Sequence, residues 1–402
     1  MTRHDKLRYG SPEEAGMVPD RIENVKKLAK GWVTEGQTPS LVVLAARRGV
    51  IFLHEAFGKL TPEADSPPLQ KDSLFPLSSI TKPITATAIM ILVEDGLLGL
   101  NRPVVDYIPE ICGEGAEEVL VHHLLTHTSG YNDMEVIMYM IKMNKENPPE
   151  IPPCDGDQHP LIHTLLTRTY QAPLWKPPGE VMSYCTHNYR LLGEIIRRVS
   201  GCSLADFAQD RIFKPLRMMD TYYIVPESLV PRIIKRPPEA PDAQRVNRFM
   251  EGIDSRQMQE TPYADRGIWS TALDMAVFGQ MFLNGGKYGD IRILSRPTVS
   301  EMTRNQIPGI QAVHFDNLLP EASWGYGWAI QSNIKWKYWM GSLIQPQKCI
   351  IHPGFGGVMM WIDLKEEIVG VYFSITLEVT PMMEHKWNFD LFLNAVTASV
   401  SD

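Results

Sequence analysis

The sequence is poor in cysteine and lacks the motifs of cofactor-binding proteins. Five cysteines occur among 402 residues, and no two of them form a CxxC pair. An odd, unpatterned set of this kind predicts free thiols in a reducing cytoplasm and makes disulfides the less favoured alternative. The sequence contains no P-loop, GxGxxG or GxSxG. We therefore expect no nucleotide cofactor and no α/β-hydrolase nucleophile elbow.

Basic residues and long apolar runs are also scarce. Lys and Arg number 39 against 47 Asp and Glu, and the net charge of −8 gives no footprint for nucleic acid or an anionic membrane. The most apolar stretch, residues 84–100, contains Glu94 and Asp95 and is too short to cross a bilayer. Residues 1–10 lack the apolar run of a signal peptide. We expect a cytoplasmic protein with no nucleic-acid or membrane partner.

What is present is an ordinary globular composition, with 44% hydrophobic and 21% charged residues. β-rich runs lie towards both ends of the chain, and helical patterns separated by proline clusters fill the middle. This order predicts an α+β fold with an antiparallel sheet flanked by helices. The sheet domain would combine residues 1–70 and 265–402. A mostly helical domain, residues 71–264, would be inserted between them, with a variable insertion at 131–172.

Hydrophobic periodicity places the individual elements along the chain. In the insertion, Met134, Met138, Met140 and Met143 have helical spacing, and we interpret them as a packed core stripe in preference to a substrate-facing lid. The predicted strands cover a hairpin at 40–58 and residues 325–331, 358–364 and 367–375. The predicted helices cover residues 11–35, 79–95, 188–199, 274–283 and 383–400.

The segment from Ser79 to Lys82 carries a serine and a lysine three residues apart at the start of a long apolar helical pattern. On a helix this spacing brings both side chains to one face. A serine hydroxyl needs a nearby base to act as a nucleophile, and a lysine can be that base when burial or another cation leaves it neutral. Pro83 fits only a first helical turn, so Ser79 is predicted at the helix start, near N–H groups that stabilise negative charge.

This SxxK tetrapeptide alone is a weak signal, because a chain of this length contains about one or two matches by chance. A second match, residues 332–335, has no helical continuation, and we interpret it as chance. Tyr184 follows a Pro-Gly turn and could transfer protons beside a lysine, although a lone tyrosine more often caps a core. The glycines around Phe355 in the segment 352–357 could expose N–H groups to a ligand or simply form a hairpin turn.

Histidine pairs and a tryptophan cluster offer competing interpretations. The pairs His123/His127 and His159/His163 have the i, i+4 spacing of zinc ligands, but the glutamate of HExxH is absent, so a metal site is disfavoured. The tryptophans at 324, 328, 336 and 339 are interpreted as core packing, with an aromatic wall beside a pocket as the alternative.

Taken together, these segments resemble the serine β-lactamase and penicillin-binding-protein superfamily, in particular its class C-like branch with the family VIII carboxylesterases. SxxK belongs to the active site of that superfamily. Several ordered blocks are more specific than any single motif. The similar blocks are SPEEAGM and EAFGKL near the start, DSLFPLSSITKPITA (72–86), HHLLTHTSG (122–130), PPGEVMSY with NYRLLGEIIRRVSG (177–201), GIWSTALDMAVFGQMFLNGG (267–286) and HPGFGG (352–357).

The resemblance implies roles for individual residues. Ser79 would be the acyl-accepting nucleophile, with Lys82 and Tyr184 as the proton-transfer pair. His352 and Gly354 would border the substrate pocket. The oxyanion hole would consist of the main-chain N–H groups of Ser79 and Phe355.

Two departures from the family pattern bear on the substrate. The Tyr-x-Asn element reads Tyr184-Cys185-Thr186, so Thr186, or Asn188 one turn later, would have to replace the missing amide. The Lys-Thr-Gly element reads His352-Pro353-Gly354, and a mostly neutral histidine binds a substrate carboxylate less well than lysine does. Both changes favour a neutral ester over a penicillin.

The sequence therefore predicts a serine carboxylesterase without a metal or other cofactor, acting on a small-molecule ester. Acyl transfer to an alcohol or amine would use the same acyl-enzyme, and β-lactamase or D-peptidase activity is a weaker option. A non-catalytic member that binds an apolar ligand is the alternative from another class. The oligomeric state cannot be predicted from these features.

Overall fold

The computed structural model describes residues 5–240, 252–314, 317–331, 349–377 and 388–401. The strands, in chain order, are β1 (Arg8–Tyr9), β2 (Ser40–Arg47), β3 (Val50–Gly58), β4 (Phe75–Pro76), β5 (Met182–Ser183), β6 (Trp269–Ser270), β7 (Lys287–Tyr288), β8 (Ile291–Arg292), β9 (Ala312–His314), β10 (Asn317–Leu319), β11 (Ala329–Ile330), β12 (Cys349–Gly354), β13 (Val358–Asp363) and β14 (Ile368–Ser374).

The helices, in the same order, are α1 (Pro19–Thr34), α2 (Thr81–Glu94), α3 (Val121–Leu125), α4 (Asp133–Glu146), α5 (Pro160–Thr167), α6 (Thr186–Ser200), α7 (Leu204–Ala208), α8 (Lys214–Leu216), α9 (Arg256–Glu260), α10 (Ala272–Leu283), α11 (Arg296–Met302) and α12 (Phe389–Thr397). Short 3₁₀ turns occupy Ser78–Ile80, Val104–Asp106, Ala116–Glu118 and Glu227–Arg232, and a π-helical turn at Gln209–Phe213 joins α7 to α8.

The largest sheet joins strands from early and late parts of the chain. Its order is β1-β3-β2-β14-β13-β12-β11, and every pairing is antiparallel except that of β1 with β3. The antiparallel-rich sheet confirms the predicted α+β class. Since β1–β3 lie before residue 59 and β11–β14 after residue 328, the sheet draws on both parts. The exact domain boundaries stay a prediction.

Alternating side chains of the sheet enter two different cores, because successive residues of a strand point to opposite faces. On β2, Leu41 and Val43 join the core that α1 and α12 cover. Val42 and Leu44 of the same strand join the larger core, which contains residues of α2 and α10. Both faces of the sheet are therefore covered by helices.

Helix α2 is a core helix on all sides. Every residue from Thr81 to Leu92 is buried, which follows from a sequence that is apolar all round. The 3₁₀ turn Ser78–Ile80 leads directly into α2, and Gly96 follows it with a φ of 73°. These features confirm the predicted helix start near Ser79 and its end at Gly96. The helix therefore carries Lys82 into the interior.

Most predicted elements are confirmed, but two element boundaries and one predicted burial pattern need correction. Helix α1 begins at Pro19 and not at residue 11, because turns occupy the preceding residues and Pro19 fits the first helical position. Of residues 325–331, only Ala329–Ile330 form a strand, since Gly327 adopts a φ of 81° in a turn. The last helix begins at Phe389, and residues 383–387 of the predicted helix lie outside the described residues.

The methionine stripe is the third correction. Met140 is buried in α4, but Met134 and Met138 are 63% and 55% exposed. Their i, i+4 spacing places them together on the outer face, whereas Val136 and Met140 form the inner face. Of the four methionines of the proposed core stripe, only Met140 is therefore buried, and Met143 is partly exposed.

Two further predictions concern free cysteines and the absence of a segment that crosses a membrane. All five cysteines are free thiols, as predicted. Among the described residues, no helix combines the length and the apolarity needed to cross a bilayer. The cytoplasmic location stays a prediction.

A matched pair of glycine substitutions tests the packing of the sheet. Gly370 of β14 pairs with Trp361 of β13, and a Cβ atom at 370 would overlap the buried indole ring. Gly370→Ala should lower the free energy of unfolding by about 1–3 kcal/mol through overpacking. Gly31 lies within α1, where a Cβ atom would stay 3.7 Å from its nearest neighbour, so Gly31→Ala should raise that free energy by about 0.5–1 kcal/mol. Urea unfolding measures both, and a stable Gly370→Ala variant would contradict this packing.

Candidate active site

Ser79 lies in the 3₁₀ turn before α2, at the point where the chain enters the core. A distant segment stabilises the start of this turn, because the Leu77 N–H donates to the Ile268 carbonyl at 2.8 Å. Ser78 adopts a φ of 47°, a conformation that few residues other than glycine take up. Ser79 is partly exposed, whereas Ser78 and Ile80 are buried. The fold thus presents one serine of the turn to solvent.

Lys82 is 1% exposed, and its ammonium group is enclosed by acceptors and aromatic faces. Its Nζ donates to Ser79 Oγ at 3.0 Å and to the main-chain carbonyl of Asp265 at 3.1 Å. The ring centroids of Tyr184 and Tyr189 lie 4.9 and 5.7 Å from the same nitrogen. The predicted contact between the two SxxK side chains is therefore present in this structure.

Tyr184 lies between β5 and α6, and His127 accepts hydrogen bonds from the residues immediately before and after it. The Ser183 N–H donates to the His127 carbonyl at 2.9 Å, and the Cys185 N–H donates to His127 Nδ1 at 3.0 Å. The His127 and Tyr184 ring centroids are 4.4 Å apart. His127 itself has a φ of 58°, a strained value for this residue type. His127 thus fixes the backbone on each side of Tyr184.

A buried carboxylate, Asp265, compensates the charge on Lys82. Its oxygens lie 3.5 Å from Arg190 Nε and 3.5 Å from Arg266 Nε. Burial alone would raise the pKa of Asp265, but the charges of Arg266, Arg190 and Lys82 outweigh it and hold the pKa below its usual range. The Ala264 carbonyl accepts from Thr85 Oγ1 at 2.6 Å. Together with the bond from Lys82 to the Asp265 carbonyl, this means that two side chains of α2 bind the main chain of residues 264–265.

The β12–β13 hairpin brings the HPGFGG segment against the Ser79 turn. A Cβ atom at Gly354 would overlap the Leu77 carbonyl oxygen and lie 3.4 Å from an Ile80 side-chain carbon. Only glycine allows β12 to approach the turn so closely. Phe355 begins the hairpin turn, in which Gly356 and Gly357 have φ values of 93° and 108°. The segment 352–357 therefore forms the predicted hairpin turn and also lies beside the Ser79 turn.

His352 is fully buried on β12 and neutral. Its ring centroid lies 6.3 Å from that of Tyr184. Burial, reinforced by the charge of Lys82, lowers the pKa of His352 from 6.5 to about 3. Its Nδ1 lies 2.8 Å from the Pro353 carbonyl oxygen. Because a carbonyl only accepts, Nδ1 carries the proton and Nε2 is left as an acceptor.

Thr186 and Asn188 begin α6, where the Thr186 main-chain N–H and the Asn188 amide oxygen have partners within the protein, whereas the buried Asn188 Nδ2 has none among the described residues. The Thr186 N–H lies 2.8 and 2.9 Å from the two carboxylate oxygens of Asp133. Asp133 therefore caps the N-terminus of α6, although it lies 53 residues earlier in the sequence. The Asn188 amide oxygen accepts from Ser129 Oγ at 2.7 Å, and the side chain is completely buried. Contact of either residue with substrate stays a prediction.

The histidine pairs make contacts within the protein. His127 accepts from the Cys185 N–H, and His123 Nδ1 accepts from the Leu120 N–H at 3.1 Å. His163 lies 2.9 Å from the Gln158 amide oxygen, and His159 Nδ1 accepts from the Leu161 N–H. In the part of the chain that the structure describes, no three His, Cys, Asp or Glu side chains converge as metal ligands.

The tryptophan cluster divides between core and site. Trp328 is fully buried against Phe278 and Phe282, as core packing predicts. Trp324 is also buried, yet its ring contacts Tyr184, His127 and His352 at centroid distances of 5.7, 5.2 and 5.9 Å. Residues 336 and 339, and the second SxxK match at 332–335, lie outside the described residues.

Sequence reasoning missed the contributions of Asp265 and Tyr189. It placed His127 in a disfavoured metal pair and in the HHLLTHTSG block, to which the resemblance gives a structural role. Asp265 contacts Lys82 through its main-chain oxygen, and 183 residues separate them. No side-chain pattern could have revealed that contact. Tyr189 follows Tyr184 by five residues, a spacing that does not bring two side chains to one helix face, and only the structure shows that both rings lie over the same lysine.

Comparison with known proteins relates most of the chain to one family. A family model described as Beta-lactamase matches residues 23–394. Protein Rv1367c of Mycobacterium tuberculosis is 27% identical over 275 residues, covering 61% of this chain and 63% of that protein. Esterase EstB of Burkholderia gladioli is 34% identical over 193 residues, covering 46% and 47%. The chain thus matches less than two thirds of the length of these relatives.

Solved structures agree with the predicted fold. A penicillin-binding protein homologue from Caulobacter crescentus has a TM-score of 0.73 at 20% identity, covering 96% of this chain and 99% of that chain. A family VIII carboxylesterase has a TM-score of 0.71 at 20% identity, covering 95% and 98%. These likenesses confirm the β-lactamase-like fold.

The buried histidines predict a loss of stability in mild acid. Burial lowers the pKa values of His352 and His187 from 6.5 to about 3. Between those values the unfolded chain binds protons that the folded chain does not, so stability is lost as the pH falls below 6.5. Each histidine should cost roughly 2 kcal/mol of unfolding free energy between pH 7 and pH 5. Urea unfolding at both pH values measures this, and His352→Gln should lose less than wild type. An equal loss in both would contradict a neutral His352.

Proposed function

The chain belongs to the beta-lactamase family, and from that premise we propose that it is a serine hydrolase that cleaves carboxylic esters through an acyl-enzyme on Ser79. The observation that carries the proposal is the 3.0 Å separation of Lys82 Nζ and Ser79 Oγ, with Lys82 buried and Ser79 partly exposed. A nucleophile within hydrogen-bond reach of a base that a third group orients is the arrangement that covalent catalysis requires.

In this proposal Lys82, which is charged in the resting site, first loses its proton to solvent, and its neutral amine then takes the proton of Ser79 Oγ. Ser79 Oγ then attacks the ester carbonyl carbon, the C–O bond to the alcohol breaks, and the leaving alcohol takes up the proton through Lys82 or Tyr184. Water attacks the acyl-enzyme with the same groups acting in reverse. The Asp265 carbonyl supports this role, because it accepts from Lys82 and directs the amine towards Ser79.

The proposed oxyanion hole consists of the main-chain N–H groups of Ser79 and Phe355. Within the described residues, no group accepts a hydrogen bond from the Ser79 N–H. The close approach of Gly354 to Leu77 supports the second donor, because it brings the residue after Gly354 near the Ser79 turn. Two such donors stabilise the negative oxygen that develops as the serine attacks.

The neutrality of His352 supports an ester without a carboxylate near the scissile bond. Burial and Lys82 keep this histidine uncharged at neutral pH. A neutral imidazole offers no charge with which to bind a penicillin-type carboxylate. We therefore propose a neutral carboxylic ester as substrate and expect a chromogenic cephalosporin to be hydrolysed more slowly than a p-nitrophenyl ester of a short fatty acid.

Removal of the proposed nucleophile or its base tests the central step. Ser79→Ala should lower kcat for p-nitrophenyl butyrate by at least about 10³-fold, and Lys82→Ala should lower it by about 10²–10⁴-fold. Ser78→Ala, in the adjacent buried serine, serves as the matched control and should retain most of the activity. Wild-type rates in Ser79→Ala or Lys82→Ala would exclude the mechanism.

The two tyrosines beside Lys82 form a second matched test. Tyr184→Phe keeps the ring contacts but removes the hydroxyl group, so kcat should fall by about 10²–10⁴-fold with little change in stability. Tyr189 Oη donates to the Leu125 carbonyl at 3.1 Å in the core. Tyr189→Phe should therefore lower the unfolding free energy by about 1–3 kcal/mol and leave kcat within a few-fold. The opposite pattern would transfer the proton-transfer role to Tyr189.

A further inference from the structure

A cavity of about 340 Å³ lies outside the site described above. It is partly open to solvent and is lined by residues of α5, α6, the start of α7 and the segment 156–159 of the insertion. Ser79, Lys82, Tyr184 and His352 are not among its lining residues. Its volume falls within the range of small-molecule pockets.

The acidic and amide groups of the cavity wall are engaged with partners in the protein. Gln158 Nε2 donates to Glu194 Oε2 at 2.6 Å, and Arg197 forms ion pairs with Glu194 at 2.9 Å and Asp157 at 2.8 Å. Asp206 Oδ2 accepts from Ser203 Oγ at 2.6 Å. The contacts of Asp157 and Gln158 bind the insertion to α6. The polar groups named here therefore form hydrogen bonds or ion pairs within the cavity wall.

Arg190 differs from the other charged groups of the wall. Its nearest carboxylate is Asp265, at 3.5 Å from Nε, and that carboxylate also faces Arg266. Within the described residues, no group accepts a hydrogen bond from the Arg190 guanidinium, although its side chain is only 13% exposed. Asp133 adds a second negative charge that acts on both guanidinium groups from beyond ion-pair distance. Arg190 nevertheless lines the cavity with donors from which no described residue accepts a hydrogen bond.

The rest of the lining is largely hydrocarbon. It includes Ile162 and Leu165 of α5, Leu204 of α7, and Pro262 and Ala264. Apolar side chains of this kind favour a ligand that carries a hydrophobic body beside its polar group. Because Asp157, Glu194 and Asp206 line the same cavity, a second negative charge on the ligand would be repelled.

We propose that this cavity binds a small monocarboxylic acid, with its carboxylate on the guanidinium of Arg190 and its hydrocarbon chain against Ile162, Leu165 and Leu204. A guanidinium matches a carboxylate through two parallel hydrogen bonds. The site is separate from the Ser79 site, so the proposal stands independently of ester hydrolysis.

Calorimetric titration with hexanoate tests the proposal. Wild type should bind hexanoate, and hexanamide, which has the same chain without the charge, should bind at least about tenfold more weakly. Arg190→Gln should weaken hexanoate binding by a similar factor. Arg190→Lys keeps a positive charge beside Asp265 but lacks the planar fork, and it should also bind more weakly. This second variant retains the ion pair if Arg190→Gln fails to fold.

Two controls separate binding in this cavity from binding elsewhere on the protein. Arg211→Gln removes an arginine that pairs with Asp95 and does not line the cavity, so hexanoate affinity should be retained. Ser79→Ala should also retain it. Absence of hexanoate binding to wild type, wild-type affinity in both Arg190 variants, or loss of binding in Ser79→Ala would overturn the proposal.

Discussion

The burial of Lys82 is the constraint on which the rest of the site depends. An amine 1% exposed to solvent is costly unless the protein supplies acceptors and compensating charge. Here the Asp265 carbonyl and Ser79 Oγ accept from it, the faces of Tyr184 and Tyr189 lie over it, and the Asp265 carboxylate offsets its charge. These groups come from separate parts of the chain, and the fold brings them together around Lys82.

The charges around that lysine are the basis of the proposed substrate. The two histidines on either side of Tyr184, His127 and His352, are buried, and burial lowers the pKa of each. Lys82 is therefore surrounded by neutral rings and by a carboxylate shared with Arg190 and Arg266. An uncharged ester enters such a site without a charge to be compensated. This is the physical basis for proposing esters over β-lactams.

Local patterns predicted those parts of the structure that local contacts determine. The start of α2, its end at Gly96 and the β2–β3 hairpin followed from proline, glycine and apolar spacing, and SxxK spacing predicted the Ser79–Lys82 contact. The exposed Met134 and Met138 were missed because helical spacing does not tell which face meets the core. Asp265 was missed because it contacts Lys82 through a main-chain carbonyl, and the role of His127 was missed because the Tyr184 segment that it contacts is distant in the sequence. Such contacts leave no residue pattern in the sequence.

The central claim, that Lys82 activates Ser79, is tested most directly by the rate and position of labelling with a fluorophosphonate ester. Its P–F bond breaks, fluoride leaves, and a stable P–O bond forms on the attacking oxygen. The account predicts one label on the peptide that contains Ser79, a strongly reduced labelling rate in Lys82→Ala and an unchanged rate in Ser78→Ala. A label on another residue, or labelling of Lys82→Ala at the wild-type rate, would contradict it.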